Sequence, residues 1–325
     1  MEANAKVITK DNSESKRNLN LKNAPNPKKE KSSLIRNNAS KYIFILPAFL
    51  FVLFFMLYPI FYNIVISFQD VSIANLRGEK PFVGLANYVE VFQSEKFLIS
   101  LKNTTIYTVS SIVFQLGIGF LLALFFNQKF PLRNFFRSIM LLAWLTPLVI
   151  TGNLFKWLYD VDYGVINYIL VQIGILSEPI NWLGQQSTAL IAIIITNIWI
   201  GIPFNMILLL SALQALPTDV YEAAKIDGAN KFQSFFKITV PLLRPAVLVI
   251  LILGIIYTFK VFDIILIMTG GGPVNATQVL PFYGYELAFI NFDFGLSGAV
   301  ATIILVILLC ISLIYLYMVR KEESM

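Results

Sequence analysis

With 325 residues, 57% of them hydrophobic and only 14% charged, the chain is too apolar for a soluble domain and reads as a polytopic membrane protein. It has no histidine and a single cysteine, Cys310, inside an apolar run, which excludes a zinc centre, a Ser-His-Asp triad and an intramolecular disulfide. The net charge of +6 resides in residues 1–41, where ten Lys/Arg face four Asp/Glu.

That first segment is dominated by Asn, Lys, Ser and Pro with few aromatics interleaved, which speaks against nucleic acid as a partner. It is expected to be a disordered basic tail on the cytoplasmic side, beside anionic membrane lipid. No apolar core lies near the start, so it does not read as a cleavable signal peptide.

Six apolar stretches follow, at roughly 42–68, 105–126, 136–158, 188–213, 240–268 and 296–319. Each is long enough to cross about 30 Å of hydrocarbon at about 1.5 Å per residue. They predict an all-α, six-helix transmembrane domain over 42–319, with a short tail at 320–325. Lys and Arg set its orientation. The N-terminal tail, Lys129, Arg133 and Arg137, then Lys225, Lys231, Lys237 and Arg244, and finally Arg320 and Lys321 mark one side. The opposite loops carry only Arg77, Lys80, Lys96, Lys102 and Lys156, and none between 269 and 295. Both termini are therefore expected in the cytoplasm of a multi-pass cell-membrane protein.

Pro47 and Pro59 bend the first span, a cost tolerated where neighbours satisfy the freed carbonyls. In the external segment 72–100, Val83, Leu85, Tyr88 and Phe92 predict a short amphipathic element along the membrane surface. Gly117, Gly119 and Ser110 permit close helix contact in the second span. Thr146-Pro147 predicts a kink in the third, and Trp157 and Trp182 look like interfacial anchors around the external loop 160–186.

In the fourth span, Asn197, Ile200, Gly201 and Phe204 fall at i, i+3, i+4 and i+7 and share one helical face. An amide, a gap left by glycine and an aromatic ring suit a sugar, the ring covering an apolar face of the pyranose; helix packing around a small residue is the alternative. Gly254, Tyr257 and Thr258 repeat the arrangement in the fifth span. Lys260 and Asp263 follow, three apart, and each charge at mid-bilayer costs about 2.5–3.5 kcal/mol, so an ion pair or a watery cavity is expected. Gly270-Gly271-Gly272-Pro273 ends that helix. No phosphate-binding loop of the G-x-x-x-x-G-K-[ST] kind occurs anywhere.

Between these two spans lies the polar stretch 217–245. Asp219 and Glu222 have capping-box spacing, predicting a helix from Asp219 with Val220, Ala223 and Ala224 on one small apolar face. Asp227-Gly228 breaks it. A second helix presents Phe232, Phe235 and Phe236 and is expected to stop at Pro241. A helix with so small a face buries little area alone and suits a groove on another protein; an ordinary surface hairpin is the alternative.

The run Glu222-Ala223-Ala224, Asp227-Gly228-Ala229, Ile238 and Pro241 matches, without gaps, the EAA loop of permease subunits of bacterial ABC importers. With the N-x-W-x-G-x-P-F stretch and the GGP sequence, the chain from about Tyr42 onward resembles the first-permease type of the maltose/glycerol-phosphate/multiple-sugar branch. The resemblance implies a type I importer permease fold and half of a heterodimeric pore. It implies a second permease subunit, two cytoplasmic ATPase subunits and an external solute-binding protein as partners, with ATP and magnesium on the ATPase and no cofactor or catalytic residue here. Glu222, Ala223, Ala224, Asp227, Gly228, Ile238 and Pro241 would then dock the ATPase, and Asn197, Ile200, Gly201, Phe204, Gly254, Tyr257 and Thr258 would contact the sugar. The rival reading is an ion-coupled secondary transporter using Lys260 and Asp263.

Overall fold

The computed structural model describes residues 44–323; the basic tail expected at 1–41 and the last two residues lie outside them. Among the described residues the chain is helical, with only isolated bridges at Gln69–Phe82 and Ser72–Asp293 in place of a sheet. Among the described residues five helices are long and apolar enough to cross a membrane, and one bent pair of helices passes the same test when taken together. The all-α class read from the apolar stretches is the one observed.

The chain divides after Tyr62 into two units. Helix α1 (Phe44–Ile66) begins in the first and widens into a π-helical turn at Leu53–Leu57, two residues before Pro59. Proline has no N–H to donate, and the widened turn lets the helix continue past it.

The second unit is built on α3 (Glu95–Asn127), preceded by the short α2 (Ala86–Gln93). The helix of the second span thus starts about ten residues earlier than expected, and Lys96 near its start is neutralised: its Nζ lies 2.5 Å from Glu286 Oε1. The amphipathic segment does form α2, but the face it buries carries Asn87 and Val91, while Leu85 and Phe92 stay exposed. Asn87 decides this, its Nδ2 donating to the carbonyls of Ser67 and Gln69 at 2.9 Å.

Helices α4 (Arg133–Leu145) and α5 (Leu148–Leu158) meet at 95°. Thr146 is extended because a following proline disfavours the helical conformation. The kink expected there is a full corner. The loop beyond it forms α6 (Val165–Gln172), and Trp182 Nε1 donates to the buried Asn167 Oδ1 at 2.9 Å. Trp182 is therefore packed and hydrogen-bonded within that loop.

α7 (Gln186–Gln214) runs parallel to α3 and forms the spine with it. Gly119 allows the approach: a Cβ there would stand 2.8 Å from Asn205 Cβ and 3.1 Å from Met206 N. Nothing lies within 4 Å of a Cβ at Gly117, so of the two glycines only Gly119 makes the contact. Lipid is as apolar as leucine, so this close packing holds the helices together where the hydrophobic effect does not.

The polar stretch holds α8 (Thr218–Ile226), then α9 (Lys231–Ser234), a π-helical turn at Phe235–Thr239 and α10 (Val240–Phe259). Two expectations are corrected here. Helix α8 starts one residue early behind an extended Pro217, with no side-chain cap; Asp219 sits in its first turn, and the capping box is formed by Asn230 and Gln233 instead. Pro241 does not stop the second helix, because the π turn just before it absorbs the missing N–H, as before Pro59. The chain closes with α11 (Asp263–Met268), α12 (Leu280–Phe289) and α13 (Phe294–Glu323).

Candidate functional site

A cavity of about 620 Å³ opens beside the α3–α7 spine. Four structural features line it: Gln115 of α3, the α4–α5 corner from Trp144 to Leu148, one face of α7, and the end of α10 with the break that follows. The break arises because Lys260 and Phe262 leave helical geometry, so Lys260, Val261, Phe262 and Asp263 turn into the wall.

All seven residues singled out on the fourth and fifth spans line this one cavity: Asn197, Ile200, Gly201 and Phe204 from α7, and Gly254, Tyr257 and Thr258 from α10. The helical spacing that put them on common faces is what brings them together. Their rings form an aromatic wall. Phe204 stacks on Trp144 at 5.4 Å between centroids and meets the edge of Tyr257 at 6.2 Å. Lys260 Nζ stands 5.0 Å above the Tyr257 ring.

Two features differ from expectation. The space above Gly201 is not empty: the Gln115 carboxamide fills it, with Cδ 2.2 Å from where a Cβ would be. Lys260 and Asp263 do not form the expected ion pair; Lys260 turns to the Tyr257 face, and both charges face the cavity. Of the two outcomes expected for these charges, it is the cavity and not the pair that is seen.

The polar groups are unevenly satisfied. Gln115 Nε2 donates to the Asn197 carbonyl at 2.8 Å, and Asn205 Nδ2 to the Gly201 carbonyl at 2.8 Å. Asn197 Nδ2 is buried with no acceptor, as are the hydroxyls of Tyr107, Thr108 and Ser111 further along α3. Such an orphan costs about 1–3 kcal/mol, and of these four residues only Asn197 lines the cavity, where a bound ligand or water can supply the missing bond.

Gln115, Trp144 and the corner residues were not legible as site residues. Gln115 is a lone amide in an apolar span with no periodic partner, and Trp144 reaches the cavity only through the 95° corner. The one available signal was the isolation of the amide itself, since a polar side chain inside a membrane span is a functional candidate by default.

The other seven singled-out residues gather on the polar stretch. Tyr221 hydroxyl and Thr239 Oγ1 lie 2.9 Å apart and pin α8 to the π turn. Gly228 adopts φ +81° with open space around it, so glycine is there for the backbone angle and not for packing. Ala224, Asp227, Gly228 and Ile238 line a shallow surface depression between the two limbs; Glu222, Ala223 and Pro241 are exposed beside it. No residue of α8 is buried.

The described residues thus combine helices long and apolar enough to cross a membrane, a cavity between them and an exposed helical elbow, the outline of a membrane permease. Residues 115–322 match the family model of the binding-protein-dependent transport system inner membrane component, and the chain belongs to that family. It is 38% identical to a trehalose/maltose transport system permease protein of Thermococcus litoralis over 287 residues, covering 87% of this chain and 94% of that one. Over 278 residues it is 34% identical to a sulfoquinovosyl glycerol transport system permease protein of Agrobacterium fabrum, covering 85% and 89%. Among solved structures, a bacterial ABC transporter that imports the acidic polysaccharide alginate contains a chain with TM-score 0.77 and 26% identity, covering 90% of this chain and 99% of that chain.

Proposed function

We propose that this chain is one permease subunit of an ATP-driven carbohydrate importer, that the cavity holds the saccharide, and that the 217–245 stretch couples it to a separate ATPase. The observation carrying the reading is the cavity wall: aromatic rings packed together in the same lining as a carboxamide whose donor lacks a partner. Pyranoses present apolar C–H faces and a rim of hydroxyls, so rings and amides together match them, as neither would alone. The relatives' names point the same way, being permeases of trehalose/maltose, sulfoquinovosyl glycerol and diacetylchitobiose systems.

In this reading an external binding protein delivers the sugar; the alginate transporter has been seen with its pentasaccharide-bound periplasmic protein, a chain of that complex matching at TM-score 0.76. A second permease completes the pore. ATP and magnesium bind two cytoplasmic ATPase subunits, whose closure would draw the coupling loops together and rock the permeases between inward- and outward-open states. This chain itself hydrolyses nothing. Ion-coupled transport through Lys260 and Asp263 is not favoured, since the family is binding-protein-dependent.

Orientation follows from the Lys/Arg asymmetry and is tested by labelling. Single cysteines at Lys225 and Arg133, in a Cys310→Ser background, should react only from the cytoplasm, and one at Asn275 only from outside. Labelling of position 225 from outside in intact cells would contradict both the topology and the ATPase dock.

The cavity is tested by uptake. Asn197→Ala removes one hydrogen-bonding group, worth roughly 0.5–1.5 kcal/mol, and should weaken apparent affinity about 2- to 12-fold. Tyr257→Ala removes ring contact and the Phe204 edge as well and should cost more. Unchanged uptake in both variants would remove the cavity from the transport path.

A further inference from the structure

Gln115 belongs to the cavity, yet no sugar role was expected for it. It is 4% exposed, and its carboxamide is held on two sides. Gly201 provides a notch, since any Cβ there would lie within 2.5 Å of Gln115 Cδ, Nε2 and Oε1. The Asn197 carbonyl accepts its Nε2 at 2.8 Å, which also fixes which end of the amide is nitrogen. Among the described residues none donates to the remaining end, Oε1, and Gln115 is one of the residues lining the cavity. Beside it, Asn197 Nδ2 is a donor with no acceptor on a residue 6% exposed.

We propose that Gln115 is the residue that sets sugar specificity: held in the Gly201 notch, its Oε1 accepts from one hydroxyl of the pyranose while Asn197 Nδ2 donates to the neighbouring one. The proposal rests on the carbohydrate reading and names the feature recognised, a pair of adjacent ring hydroxyls. A hydroxyl both donates and accepts, so a paired acceptor and donor suits two neighbours on one ring. The last torsion of asparagine is broad, so Nδ2 turns to the cavity without backbone movement. Gly201 gains a role in turn: it is the seat of the amide, and not a gap for the sugar.

Selectivity of this kind has a signature. A site built to bond a hydroxyl rejects the analogue lacking it, because its own polar groups are left unpaired. A residue that only packs has no such effect on the ratio between the two sugars.

The test uses the assembled transporter, with methyl α-D-glucopyranoside and its monodeoxy analogues as probes. Binding is followed by tryptophan fluorescence, since Trp144 lines the cavity. Wild type should prefer the parent over one or two adjacent-position deoxy analogues by about tenfold or more, the range of one to two hydrogen bonds. Gln115→Met keeps the length and removes the amide; it should reduce that preference to about twofold or less. Gly201→Ala evicts the amide by displacing only the end of a flexible side chain, and should do the same with Gln115 chemically intact. Gly117→Ala, with nothing within 4 Å, serves as the control and should keep wild-type selectivity. Preserved discrimination in either Gln115→Met or Gly201→Ala overturns the role of Gln115 while leaving the carbohydrate reading intact. If wild type neither binds nor takes up any glycoside, the carbohydrate reading fails, and this proposal with it.

Discussion

Gly119→Leu is expected to abolish the folded transporter. A Cβ at 119 would stand 2.8 Å from Asn205 Cβ, 3.1 Å from Met206 N and 3.3 Å from Asn205 C, two of them backbone atoms that cannot rotate away. The spine would have to separate at the level where α3 and α7 bury Ala123, Met206 and Leu209 together. Overpacking typically costs about 1–3 kcal/mol for added methylenes alone, and a whole isobutyl group against backbone exceeds that. Even Gly119→Ala should lower the melting temperature measurably, whereas Gly117→Ala should not. Fluorescence-detected size-exclusion of the detergent-solubilised complex reads the result directly: loss of the monodisperse peak for Gly119→Leu and retention for Gly117→Ala. A well-assembled Gly119→Leu complex would mean that α3 and α7 do not pack as described.

The second large effect is on coupling. Ala223 is exposed on a helix that buries no residue, so Ala223→Trp adds bulk without disturbing this chain's own packing. Insertion and assembly of the permeases should persist, while uptake and sugar-stimulated ATP hydrolysis fall to background because the bulky ring keeps α8 from its dock. Gly228→Val acts differently. At φ +81° with open space around it, the penalty is purely one of backbone conformation, about 1–2 kcal/mol and more for a β-branched side chain. The second limb is then misdirected, and coupling should drop with expression unchanged. Normal stimulated hydrolysis in both variants would show that the stretch is an ordinary surface hairpin.

Periodic features of the sequence were the ones it made readable. Asn197, Ile200, Gly201 and Phe204 recur with the helix period, and Gly254, Tyr257 and Thr258 repeat that logic, so their convergence followed from counting residues. Gly228 was readable because only glycine relieves a left-handed turn. What was hidden depends on partners distant in the chain. Nothing local links Gln115 to Gly201, so the glycine read as a vacancy when it is a seat. The capping box was assigned to Asp219 and Glu222, although Asn230 and Gln233 have equivalent spacing and an extended residue directly before the helix. Pro241 was read as a stop because proline breaks an α-helix; a π turn was the unforeseen remedy, used twice in this chain. The 95° corner at Thr146-Pro147 exceeded the expected kink because both residues leave helical geometry and not the proline alone.

The central claim, that the aromatic cavity is where a saccharide sits during transport, is tested most directly by one paired measurement. Uptake of radiolabelled sugar into proteoliposomes is compared between wild type and Tyr257→Ala, and the subunit stoichiometry of the same preparations is determined. A lining role predicts uptake reduced at least about tenfold, since ring contact and a hydrogen-bonding tip are lost together, with full subunit stoichiometry retained. Uptake at the wild-type level, or uptake and assembly lost in parallel, would contradict it and leave Tyr257 a packing residue.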